Sequence, residues 1–218
     1  MLISFVGGDA SGKGTQIERC SEWIRNEMKL PVRVVTRFDL LGKNAYPEFA
    51  FADCTREELA EEYLPQMKGS ARAVFLMYTF AVALGRNPPL RDEVVLVDGY
   101  WQKNLGTEGA MGIDQEWFTK LCSVLPKPDV TLLFDIDPHT VLSRGRKGKP
   151  YECGCDFTRS DTSFIRHQSK VREILLSAAK SYGWHKIDAS RSEDAIAVDV
   201  RRILEPEIAR MSLVRNIA

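Results

Sequence analysis

The sequence predicts an α/β protein, a three-layer parallel sheet of about five strands with helices on both faces. Three observations lead there. Five short apolar runs, rich in β-branched residues, are separated by longer stretches with helical spacing. The runs at 2–6 and 94–97 are apolar at nearly every position, as strands covered on both faces must be. Strands that alternate with helices are joined by crossovers, which makes neighbouring strands parallel.

The elements follow in order. Residues 2–6, Leu-Ile-Ser-Phe-Val, form the first strand, ended by Gly7 and Gly8. From about 14 to 28, Ile17, Cys20, Trp23 and Ile24 recur at helical spacing and mark the first helix. The second to fourth strands are expected at 32–36, 93–97 and 130–136, and a weak fifth at 185–187. Helices are expected near 55–64, 69–85, 114–124, 138–146, 160–181 and 192–210. Thr55-x-x-Glu58 has the form of a capping box, and Ser192 precedes an acidic first turn. Glycine, proline and charge gather near 39–54, 86–92 and 147–159, which read as loops. No repeat or low-complexity linker divides the 218 residues, so one domain spanning 1–218 is expected.

Lysine plus arginine and aspartate plus glutamate both number 30, which leaves no net charge and no general footprint for nucleic acid. The longest mostly apolar run, 73–84, is too short to span a membrane and contains Tyr78 and Thr79. No basic segment precedes the first apolar run, so no signal peptide is expected. Five cysteines, odd in number and irregular in spacing, do not make a disulfide framework. A soluble cytoplasmic protein is the expectation.

The strongest motif is Gly7-Gly8-Asp9-Ala10-Ser11-Gly12-Lys13-Gly14-Thr15, a G-x-x-x-x-G-K loop between a buried strand and an amphipathic helix. Such a loop turns successive N–H groups, and the positive end of the helix, toward an anion. Residues 8–15 are therefore the candidate nucleotide-binding segment, with Lys13 reaching the outer phosphates. Gly14 stands where serine or threonine is usual, which leaves Thr15 as the nearest hydroxyl for Mg²⁺. Asp98 closes the third strand, at the edge where ligands of open α/β sheets sit. It is suited to hold Mg²⁺ or to orient an acceptor. After the fourth strand, Arg144, Arg146, Lys147 and Lys149 lie among glycines. A lid near 143–159, with Arg144 and Arg146 closing over migrating charge, is the reading of that segment.

These residues, in this order, resemble the thymidylate kinases among the nucleoside monophosphate kinases, over nearly the whole chain. The loop at 6–13, Val34-Val35-Thr36-Arg37, the strand ending at Asp98, Pro126-Lys127-Pro128-Asp129 and Phe164, Gln168 and Arg172 carry the resemblance. It implies a P-loop kinase fold, ATP and Mg²⁺, small nucleotide substrates and a possible homodimer through helices near the acceptor side. It also implies Asp9 against the acceptor sugar and Arg37 against the acceptor phosphate, with Phe38, Arg72, Tyr100 and Gln102 as further substrate contacts. Ala10 stands where one subgroup carries a catalytic arginine, a charge the other subgroup supplies from the lid.

Two departures matter. The family's Asp-Arg pair is Asp98-Gly99 here, and the helix that would present an arginine is uncharged from 75 to 84. Each missing arginine–phosphate contact costs about 1.5–3 kcal/mol. Either Arg72, Lys103 or Arg37 compensates, or the acceptor is another nucleotide or metabolite; a non-catalytic nucleotide-binding module is the remaining alternative. Phe75, Met77, Tyr78 and Phe80 read equally as a base pocket or as core, and Tyr100 to Gln102 as base readers or cover for the sheet. Cys153 and Cys155 find only Cys54 and His167 as further zinc ligands at unsuitable spacing, so free thiols are expected. His139, His167 and His185 have no spacing that suggests a triad.

Overall fold

The computed structural model describes residues 1–41, 53–86, 88, 90 and 92–215. Five strands, β1 (Leu2–Gly7), β2 (Val32–Val35), β3 (Val94–Asp98), β4 (Val130–Asp135) and β5 (His185–Asp188), form one sheet in the order β2-β3-β1-β4-β5. All pairings are parallel. The helices are α1 (Lys13–Asn26), α2 (Arg56–Glu58), α3 (Leu64–Gln66), α4 (Gly69–Arg86), α5 (Trp101–Ala110), α6 (Gln115–Cys122), α7 (Pro138–Ser143), α8 (Asp161–Tyr182) and α9 (Glu193–Arg215). A π-turn, Leu59–Tyr63, joins α2 to α3.

Side chains alternate across the sheet, and each face has its own helices. Ile3, Phe5, Leu96, Leu132 and Phe134 pack with Ile17 and Ile24 of α1 and with Val200, Leu204 and Ile208 of α9. On the opposite face Val95 and Val97 meet Phe80 of α4, Leu105 of α5 and Phe118 of α6, while Val6 and Leu133 meet Val171 and Leu175 of α8. This is the expected three-layer arrangement, with all five strands within a residue or two of their predicted positions. Thr55 and Glu58 form the reciprocal capping box: Thr55 N–H donates to Glu58 Oε2 at 2.7 Å and Glu58 N–H to Thr55 Oγ1 at 3.1 Å.

One helix was not legible in the sequence. In α5, Gln102, Lys103, Asn104, Thr107 and Glu108 are all buried, so the apolar stripe that marks an amphipathic helix is absent. Gly106 explains its seating. A Cβ there would stand 2.8 Å from Leu175 Cγ, so glycine lets α5 and α8 approach closely. The ambiguous face of α4 is settled as core at Phe80, whose ring meets Tyr100 edge-on with centroids 5.1 Å apart. Parts of the loops expected near 39–54 and 86–92 lie outside the described residues. No described helix is long and apolar enough to cross a membrane, and all five cysteines are free thiols.

Candidate active site

The register brings the carboxyl ends of the central strands together: Phe5 lies beside Asp98, and Gly7 beside Phe134. A cavity of about 540 Å³ opens there, above β1 and β3. Its floor is the glycine loop from Asp9 to Thr15, and its walls include Arg37 and Phe38 after β2, Arg56 of α2 and Asp98 and Gly99 after β3. Lys103 of α5, Lys149 and Glu152 complete it.

Gly12 adopts the left-handed conformation (φ 83) that lets the chain turn from the loop into α1. Lys13 is nearly buried, and its Nζ donates to Gly8 O at 2.8 Å, Gly7 O at 3.2 Å and Ser11 Oγ at 3.2 Å. Burial, and next the charge of Lys103, lower its pKa to about 8, although Asp98, Asp9 and Glu152 oppose the shift.

Asp9 is held from two sides. Lys103 Nζ donates to its Oδ1 at 2.5 Å. Gln168 donates through Nε2 to its Oδ2 at 3.3 Å and accepts from its backbone N–H at 3.2 Å. Burial alone would raise the carboxyl's pKa, but Lys103, Lys13 and Arg37 together hold it well below the usual carboxylate range. Glu152 is shifted the other way, raised by burial and then by the charge of Asp9, against the Lys149 backbone N–H and Arg146. The Arg37 guanidinium lies over the Phe38 and Tyr151 rings at 5.1 and 5.6 Å, and Arg56 covers Phe38 at 4.3 Å.

Of the residues singled out in the sequence, 9–15, Arg37, Phe38 and Asp98 line this one cavity. Three expected substrate contacts are corrected. Arg72 is buried elsewhere, with Nε donating to Glu108 Oε1 and Oε2 at 3.0 and 3.1 Å, and its remaining N–H groups face Met67 O, Cys155 and Met111. Tyr100 is a core residue whose hydroxyl donates to Pro126 O at 3.0 Å. Gln102 bridges Ser4 and Thr131 beneath the sheet, away from the phosphate loop. Tyr100 and Gln102 face inward because they open the buried helix α5, and Arg72 of α4 is drawn to Glu108 on that same helix.

Arg144 and Arg146 lie outside the cavity wall: Arg144 donates to Ser190 O at 3.3 Å, and Arg146 pairs with Glu152 at 2.9 Å. The lid cation lining the cavity is Lys149. Lys103, one of the three cations expected to compensate for the missing arginines, lines the cavity; Glu152, which also lines it, was not among the expected contacts. Lys103 follows Asp98 by one helical turn and a short bend, a signal readable only once α5 is known to be a helix. Cys155 faces Arg72 and Met111. Among the described residues no group of three or more His, Cys, Asp or Glu side chains could hold a metal ion.

An all-parallel five-stranded sheet with a glycine–lysine loop at the end of its central strand, and acidic and basic groups gathered above it, defines a P-loop kinase. The family model "Thymidylate kinase" matches residues 51–200, and the chain belongs to the thymidylate kinase family. The chain is 25% identical over 214 residues to "Probable thymidylate kinase 1" of Saccharolobus solfataricus, covering 95% of this chain and 98% of that protein. It is 31% identical over 207 residues to "Probable thymidylate kinase" of Sulfolobus acidocaldarius, covering 93% and 95%. To "Thymidylate kinase" of Caenorhabditis elegans it is 26% identical over 211 residues, covering 94% and 90%.

Proposed function

We propose that this chain transfers the γ-phosphoryl group of ATP to dTMP, giving dTDP and ADP. A phosphate oxygen of dTMP forms the new P–O bond, and the bond from the γ-phosphorus to the β,γ-bridging oxygen breaks. The supporting observation is the cavity itself, which gathers the loop, Lys13, Asp98 and Arg37 within one space large enough for the phosphates of two nucleotides. Family membership supports the choice of acceptor.

In this reading the backbone N–H groups of residues 8–15 cradle the donor phosphates, and Lys13 exchanges its loop carbonyls for β- and γ-oxygens. Arg37 meets the acceptor phosphate, and Asp9 faces the acceptor sugar. Thr15 and Asp98 offer hard oxygens at the cavity wall, the donor type that suits Mg²⁺ alongside phosphates and water. When bound, Mg²⁺ supplies charge neutralisation on the phosphates. Residues near 143–159 act as a lid of the single domain, with Arg144 and Arg146 closing on the migrating charge once Arg146 leaves Glu152.

The test is chromatographic detection of dTDP after incubation with ATP, Mg²⁺ and dTMP, for the wild-type chain and for Lys13→Ala. Formation of dTDP by the wild type and its loss in the variant support the proposal. Absence of dTDP from the wild-type reaction removes it.

A further inference from the structure

We propose that Lys103 is the acceptor-phosphate cation of this enzyme, seated by Asp9 and given its space by Gly99. The proposal rests on the nucleotide-kinase reading above, in which the acceptor arrives as a phosphate monoester.

Lys103 is almost fully buried, yet it lines the same cavity as Lys13, Arg37 and Asp98. Its Nζ has Asp9 Oδ1 as its hydrogen-bond partner among the described residues. An ammonium carries three N–H donors, so two remain for phosphate oxygens. Asp9 is fixed on its other side by Gln168, and this makes it a rigid seat for the lysine. Lys13 and Lys103 line the same cavity as like charges, and the charge of Lys103 lowers the pKa of Lys13. A dianionic phosphate placed between them relieves that repulsion, which a neutral acceptor cannot do.

Gly99 leaves room for the present path of the lysine. Its φ is +61, and a Cβ at this position would stand 2.9 Å from Lys103 Cδ. A side chain at 99 and the present path of Lys103 therefore compete for the same space. The cation that Asp98-Gly99 lacks at position 99 is supplied from the first turn of α5. Of the other candidate cations, Arg72 is committed to Glu108, Met67 O, Cys155 and Met111. Arg37 shares the cavity and acts with Lys103 rather than instead of it.

The experiment is calorimetric binding of dTMP and of thymidine to the wild type, Lys103→Met, Lys103→Arg, Gly99→Ala and the double variant Gly99→Ala/Lys103→Met. The readout is the ratio of the two affinities. The wild type should prefer dTMP, and Lys103→Met should lose roughly 10- to 150-fold of that preference, with thymidine affinity little changed. Lys103→Arg should keep part of it. Gly99→Ala should lower it in the wild-type background and add nothing to Lys103→Met, because both changes remove the same cation. If Lys103→Met folds poorly, Gly99→Ala alone carries the test, since it keeps Lys103 and its Asp9 partner in the chain. An unchanged dTMP-to-thymidine ratio in both Lys103→Met and Gly99→Ala overturns the assignment of Lys103 alone. A wild type that binds ATP but not dTMP overturns the acceptor reading, and the assignment with it.

Discussion

Arg72 holds Glu108 through a single nitrogen, Nε, at 3.0 and 3.1 Å from the two carboxylate oxygens, and neither residue touches the phosphate cavity. Tyr151 adds a third bond, its hydroxyl donating to Glu108 Oε1 at 2.8 Å. Three elements meet here: α4, α5 and the segment after α7. An arginine that family resemblance would send to a substrate is instead a buried structural tie.

Breaking that tie from one side leaves an uncompensated buried charge. Glu108→Leu or Arg72→Met should each destabilise the fold by about 3–5 kcal/mol, and the double variant should recover much of the loss. Urea unfolding of the three variants checks this. Equal losses that add in the double variant would mean that the two charges do not interact.

His167 is buried, and its Nε2 has no hydrogen-bond partner among the described residues. Burial first, helped by Arg72, Lys170 and Lys103 against the opposing charge of Asp9, lowers its pKa from 6.5 to about 4. The unfolded chain therefore takes up a proton before the folded one as pH falls. Stability contributed by the neutral imidazole is complete above pH 6.5 and is lost down to about pH 4, on the order of 3 kcal/mol in total. Thermal unfolding between those limits should fall more steeply for the wild type than for His167→Leu. Parallel curves would contradict the placement.

Lys13 is a base with a lowered pKa, so its charge is lost as pH rises through about 8. Activity per unit of free enzyme, kcat/KM for ATP, should fall on an alkaline limb near that value. The phosphates of bound ATP favour the charged form, so the limb of kcat should lie higher. Lys103 is the second cause of the shift, after burial. Removing it in Lys103→Met should move the kcat/KM limb to higher pH. A limb that stays in place would show that another group titrates.

Much of this was written in the sequence, because the signals were local. The glycine loop and its flanking strand and helix, the five strands and the capping box at Thr55 and Glu58 each announce themselves within a dozen residues. What failed was long-range. In α5 the buried polar face of Gln102, Asn104, Thr107 and Glu108 reads as solvent-facing, and Gly106 reads as a helix breaker until Leu175 is seen against it. Without that helix, Tyr100 and Gln102 read equally as base readers or as cover for the sheet, and Lys103 has no direction. The fate of Arg72 depended on Glu108, 36 residues away, and no local pattern reports such a partner.

The most direct measurement of the central claim is ADP release from ATP and Mg²⁺ across a panel of nucleoside monophosphates, with Lys13→Ala as the blank. The account predicts release that depends on Lys13 and is fastest, by kcat/KM, with dTMP. ATP binding without acceptor-dependent release on any member of the panel, or release equal in Lys13→Ala, would contradict it.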